Sequence, residues 1–424
     1  MSEEYKHNHY LPEWYQKRFL PDGQSQQHYL DLKPEVIIQN GHKFTRKAKL
    51  KWGPKLCFAQ DDLYTLSIGG LDIKDLEKFF FGELDADGSD AVAHFADFDY
   101  GDKSHQAFDS LLPYLSAQKL RTPRGLAWLS WLIKQSGSTD KNQTLLTMQK
   151  FSRLFCAIWA EAVWQIADAS QSPTKFIISD NPVVIYNREC FPDSHFCKGF
   201  HDPDIRWAAS HTYFPLSPDK VLILSNLSWV RDPFQNPTKI RPNPEYMRSA
   251  IFKFTDIQVD RYLTEEEVLQ INYVTKKRAS RYISAAKEEW LYPERHMKSK
   301  HWRKLGNGYL FMPDPRHIHG GGEIFIGYGN GQTDASSAYG HKPWQKGYED
   351  KERDNREWET MQRFKAEWCA TMGQEYRGIP VDMKWSTRPL KHKMDEEYYL
   401  RECARDRLTM KMPGEKRRRR RLRQ

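Results

Sequence analysis

From Phe151 to Ile166 the residues Phe151, Leu154, Phe155, Ile158, Trp159, Ala162, Val163 and Ile166 recur at i, i+3 and i+4 spacing. That period lays them along one face of an α-helix. Such a face is stable only when another layer covers it, so the chain has to build a core here. The spacing predicts a buried helix over residues 142–169. Glu161 and Gln165 interrupt the run, which is also shorter than the ~18 residues a membrane span needs.

Further elements follow from local chemistry. LAWLSWLI, residues 126–133, reads as a buried helix begun after Thr122 and Pro123. Thr264 and Glu267 have capping-box spacing and predict a helix continuing through INYVTKKRASRYISAAKEEW, residues 271–290. Residues 176–178 and 183–186 read as strands on either side of the Ser179-Asp180-Asn181-Pro182 turn. Residues 214–216 and 221–224 read as a hairpin around Pro218-Asp219, and residues 250–254 and 257–259 as two more strands. The fold class expected is α+β, a predominantly helical body with a small, mostly antiparallel sheet.

After Tyr292 the texture shifts to Gly, His and Ser. Then Trp358, Met361, Phe364, Trp368 and Met372 return to helical spacing in a charged stretch. An amphipathic helix of this kind docks on the body or on a partner, which makes residues 355–375 a candidate protein-partner surface. The chain thus divides into a body over 1–290, a Gly/His-rich loop and Trp-containing helical extension over 291–415, and a basic tail over 416–424.

The net charge of +9 belongs mostly to that tail. Lys416, Arg417, Arg418, Arg419, Arg420, Arg421 and Arg423 supply seven of the nine charges and leave +2 for residues 1–415. A run of like charges stays solvated and can settle on nucleic acid, with affinity that falls steeply with salt. Six cysteines without a C-x-x-C pair, and charge and His in place of an apolar leader over residues 1–20, give a cytoplasmic expectation without disulfides.

The start His9-Tyr10-x-Pro12-x-x-Tyr15, followed by Phe19, is the first of several ordered stations. The others are the acidic stretch DIKDLEKFFFGELD with Glu77 and Glu83; Gln118, Arg121, Thr122 and Pro123; Ser179 to Val183; Pro215 to Pro218; and Asn272 with Arg281 and Tyr282. Taken in this order, over residues 9–290, the chain resembles the family known as the domain of unknown function 4238. The resemblance implies a fold and a grouping, because the family carries no established activity. Trp14, Gln16 and residues 291–424 depart from its pattern.

His7-Asn8-His9 spells a metal-dependent nuclease motif, but consecutive residues of an extended strand point to opposite faces and cannot converge on one metal. His9 alone has two readings, an anchor for the first turn or a base or ligand in a polar site. Asp180 and Asn181 present a carboxylate and an amide where a divalent metal or a substrate hydroxyl could sit, or serve the turn itself. Arg121 is placed to grip phosphate or carboxylate with its planar fork. Glu77 and Glu83 do not share a helical face and make no paired-carboxylate site.

Cys190, His195, Cys197 and His201 have the residue types of a zinc site, in an unusual spacing. His317 and His319 flank no nucleotide-loop context and read as a hairpin tip. The Ser179–Pro182 turn also lacks the second proline and aromatic of a methyltransferase turn. Two functions are therefore expected. One is a hydrolase of nucleic acid or nucleotide, of toxin or defence-effector type, with His9, Arg121, Asp180 and Asn181 in its site and a divalent metal on Asp180 and His9. The other is a non-enzymatic module binding nucleic acid or protein through the extension and the Arg-rich tail.

Overall fold

The apolar face of residues 151–166 is shared between two kinds of element. The helix Lys141–Glu161 ends where Ala162 N–H donates to the Ile158 and Trp159 carbonyls, and the chain continues as the strand Val163–Asp168. The single helix expected over 142–169 is corrected here. A continuous apolar run fits a fully buried strand as well as a helix, and Val163, Trp164 and Ile166 are β-formers. The computed structural model describes residues 7–39, 42–61, 84–137, 141–245, 252–318, 322–327, 329–372 and 378–381.

That strand lies inside a six-stranded sheet, in the order Ile379–Pro380, Gln258–Tyr262, Val163–Asp168, Lys220–Ser225, His211–Pro215 and Val184–Tyr186. Neighbours pair antiparallel except for Gln258–Tyr262, which runs parallel to Val163–Asp168. A second, four-stranded antiparallel sheet orders Lys49–Trp52, Gln27–Asp31, Tyr282–Ala285 and Ile178–Ser179. The α+β class and the antiparallel preference hold, and the sheet content is larger than the single small sheet expected. The two strands flanking the Ser179–Pro182 turn do not pair with each other; they end up in different sheets.

Several boundaries follow the expected chemistry. Thr122 caps the helix Pro123–Ser136 by accepting from Gly125 N–H. Thr264 and Glu267 form the full capping box of Glu265–Arg278. That helix stops at Ala279, short of the predicted reach to Trp290, because residues 280–282 give their N–H groups to Asp180 and Tyr282–Ala285 then enters a sheet. Phe254–Asp256 is a 3-10 turn, with the strand beginning at Gln258. Residues 250 and 251, Glu77, Glu83, His319 and the tail 416–424 lie outside the described residues.

Beyond residue 290, Trp302, Leu305, Leu310 and Phe311 complete the same core. Trp302 donates its indole N–H to the Asn187 carbonyl at 2.9 Å, and Phe311 stacks on Tyr213 with ring centroids 4.9 Å apart. The helix Lys351–Met372 buries Met361, Phe364 and Trp368 against Leu227, Trp229, Val230 and Met312. The apolar face expected at 355–375 is thus taken up by the body, while Trp358 stands 58% exposed on the other side. Among the described residues no helix is long and apolar enough to cross a membrane.

Candidate functional site

The sequence-derived site residues fall into one neighbourhood, yet each is bound to its own structural partner. His9 Nε2 lies 3.2 Å from the carbonyls of Pro54 and of Lys55. Gln118 donates to the Tyr10 carbonyl at 2.8 Å and accepts from Arg121 Nε at 2.8 Å, while Arg121 also donates to Asp85. Asp180 is buried, and its two oxygens accept from the N–H groups of Ser280, Arg281 and Tyr282 at 2.7, 2.7 and 2.9 Å. Burial raises the pKa of its carboxyl, and the three N–H donors act against that rise. This carboxylate is a pin between the turn and the Tyr282–Ala285 strand.

Among the described residues no three His, Cys, Asp or Glu side chains gather as a metal ion would need. That applies to the divalent pair Asp180 and His9 and to the Cys190, His195, Cys197 and His201 set. The two cysteines are buried, whereas His195 lies against Phe196 and His201 lies edge-on to Trp131. The four side chains therefore do not form the closed tetrahedron that a structural zinc requires.

Asn181 leads to a cavity that His201, another of the predicted residues, lines. Its amide oxygen accepts from Lys119 Nζ at 3.1 Å, and Lys119 also donates to the Val183 carbonyl and to Asp202. Asp202 takes a second cation, Arg124, whose Nε donates to Oδ1 at 3.1 Å while another of its N–H groups reaches the His201 carbonyl. All three charged side chains are nearly buried, at 8% for Lys119 and Arg124 and 11% for Asp202. They line one end of a cavity of about 400 Å³.

Its walls are aromatic. Trp128 and Trp131 come from the Pro123–Ser136 helix, Phe151 and Phe155 from Lys141–Glu161, and Phe196 and Trp207 from the long segment between two strands. The helix that carries the tryptophans starts hard against the preceding one. A Cβ at Gly125 would sit 2.3 Å from the Lys119 carbonyl oxygen, so glycine is what permits the approach.

Electrostatics at the cavity end are one-sided. Burial pushes the Asp202 carboxyl up, but the charges of Arg124, Lys119 and Arg278 outweigh it and hold the group well below the usual carboxylate range. Burial lowers the Lys119 amine, and Asp202 offsets part of that. Burial and then the Arg124 charge lower the His201 imidazole, so it is neutral at neutral pH. A neutral imidazole and a guanidinium beside an aromatic cavity can accept a proton and stabilise an oxyanion.

Sequence reasoning found Asn181 and His201 but missed Lys119, Arg124 and Asp202. Lys119 and Arg124 flank Arg121, the arginine singled out, and only the helix start after Thr122 separates which of these side chains faces the cavity. No curated protein and no solved structure matches the chain. A family model does match, and its span takes in Lys119, Arg124, Asp180, Asn181, Asp202 and Arg278 while starting beyond His9. Over residues 111–289 the chain fits the family described as Protein of unknown function (DUF4238), the family that its motif order resembles.

Proposed function

We propose that the chain is a cytoplasmic hydrolase of a nucleotide-class substrate, bound in the cavity between the two tryptophans and the Lys119, Arg124 and Asp202 group. The observation that carries this reading is an aromatic-walled cavity whose buried end holds two cations and one carboxylate. Planar rings offer stacking faces to a base, worth about 1–3 kcal/mol for each base stacked. The cation excess suits a phosphate. A guanidinium has five N–H donors, and Arg124 spends two of them on Asp202 and His201. His201, neutral at neutral pH, is the proton acceptor for water in this reading, and Asn181 holds Lys119 in place.

Calorimetric titration of the full chain with nucleoside mono- and triphosphates, with chromatography of the products, tests it. Saturable binding that weakens at least tenfold in Arg124→Gln and in Trp131→Ala, with turnover lost in His201→Ala, is expected. Trp131 is 40% exposed at the rim, so its removal leaves the fold in place. No binding of any nucleotide by the wild-type chain would sink the reading.

The second reading, a binding module without catalysis, draws on the outward face of Lys351–Met372. There Trp358 is exposed and Arg363 packs over Phe234 at 4.1 Å. Binding of single-stranded nucleic acid that vanishes on deletion of residues 416–424, with no nucleotide turnover, favours it.

A further inference from the structure

A second cavity, of about 600 Å³, opens where the parallel strands Val163–Asp168 and Gln258–Tyr262 begin. It shares no described lining residue with the first. Trp164, Leu227, Phe252, Ile257 and Ile318 give it apolar walls, while Lys253 and Phe325 stand exposed at its mouth. A solute can therefore reach it from water, and its size is that of a small-molecule site.

Two buried polar groups in the lining are left incomplete. Arg231 ends the short helix Leu227–Arg231 and is 6% exposed, yet its Nε and Nη1 are buried without a hydrogen-bond partner among the described residues. Glu357 feels the Arg231 charge, but one of its oxygens is already taken by the Tyr339 hydroxyl. Glu161 is the other group. Its Oε2 accepts from Arg241 at 2.7 Å, and its Oε1 is buried with no partner. Tyr339 ties the two together: its ring centre lies 5.4 Å from the Arg231 guanidinium carbon, and the charges of Arg231 and Glu161 both act on its hydroxyl. A buried donor or acceptor without a partner is destabilising, and in a cavity a bound molecule can supply what is missing.

We propose that this cavity binds an apolar α-amino acid, with its carboxylate on Arg231, its ammonium on Glu161 and its side chain against Trp164, Leu227 and Phe252. The two incomplete groups are of opposite sign, one donating and one accepting. A zwitterion answers both and brings no net charge into a region where Glu161 is already paired with Arg241. A phosphate answers Arg231 but sets further negative charge beside Glu161, and an amine alone leaves Arg231 unmet. The walls choose the side chain. A polar one would lose its hydration against Trp164, Leu227 and Phe252, whereas an aromatic or branched aliphatic one is favoured there. The site stands whether or not the first cavity takes a nucleotide.

Calorimetric titration of the full chain with L-phenylalanine and L-leucine tests it. Saturable binding is expected, with a rise in the thermal unfolding midpoint as the ligand is added. On the wild-type chain the analogues that lack the ammonium (hydrocinnamate for phenylalanine, isocaproate for leucine) should bind at least tenfold more weakly. Those that lack the carboxylate (phenethylamine and isoamylamine) should do the same. Arg231→Gln should weaken the amino acid at least tenfold. Failure of both amino acids to bind, an analogue that binds as well as its parent, or unchanged affinity in a folded Arg231→Gln overturns the proposal. The analogue series on the wild-type chain decides even if the variant fails to fold.

Discussion

Lys119 and Asp202 form an ion pair across 83 residues of sequence, with side chains only 8% and 11% exposed. Removing one member of such a pair leaves a buried charge uncompensated, at a cost of about 3–5 kcal/mol. Asp202→Asn should therefore lose stability of that order at pH 7, measured by urea denaturation. Because the folded carboxyl is held below its ordinary range, its contribution is present above the unfolded value of about 3.9 and is lost as pH falls below it. The gap between wild type and variant should narrow at pH 3; a gap that stays constant would show that the charge of Asp202 is not what stabilises.

Asp180 offers a sharper contrast between scaffold and chemistry. Asp180→Ala leaves three part-buried N–H groups without their carboxylate acceptor, and a loss of about 2–3 kcal/mol is expected. Asp180→Asn should restore little, since its amide would set N–H groups against the N–H donors of residues 280–282. A variant that unfolds at wild-type urea concentration while losing all turnover would instead make Asp180 part of the reaction.

Acid sensitivity has a second source in His211. The ring is 4% exposed, its Nδ1 accepts from Asn226 N–H at 3.3 Å, and burial brings its pKa from 6.5 down to about 3. The folded state keeps the imidazole neutral, while the unfolded chain protonates it below 6.5. Stability from this residue is therefore full above pH 6.5 and drains as pH falls toward 3. His211→Gln, which can still accept from Asn226 but does not titrate, should flatten the stability profile across that window in pH-dependent thermal denaturation.

The helix Lys351–Met372 carries its own internal control. Trp368 is fully buried and lies under Arg316 at 5.0 Å, so Trp368→Ala should cost about 3–5 kcal/mol. Trp358→Ala, on the exposed face, should change stability by less than about 0.5 kcal/mol. Guanidinium unfolding curves of both variants measure the difference directly, and equal costs would mean that the helix does not dock as described.

What could be read in the sequence was local. The caps at Thr122 and Thr264 and the hairpin around Pro218-Asp219 were legible because a few neighbouring residues decide them. Residues 163–168 were misassigned because an apolar run buried on both faces carries no period that separates helix from strand. The cavity end was illegible for another reason. Lys119, Arg124 and Asp202 are ordinary charged residues until two successive helices and the segment between the strands Val184–Tyr186 and His211–Pro215 bring them together, and no spacing in the chain encodes an ion pair closed over such a distance. Asn181 was found because a turn announces itself, though what it touches, Lys119, was not.

The pairing of Gln27–Asp31 with Tyr282–Ala285 also says something about how the molecule is made. Asp31 and Arg281, joined at 2.8 Å, are 250 residues apart. At synthesis rates of about 5–20 residues per second, the first strand leaves the ribosome roughly 12–50 s before its partner exists. Until then the strand edge that faces Tyr282–Ala285 has no partner, and Tyr29 lacks the stacking of Tyr282. This part of the chain has to be shielded by something else during translation, and a product stopped short of residue 282 would expose it for good.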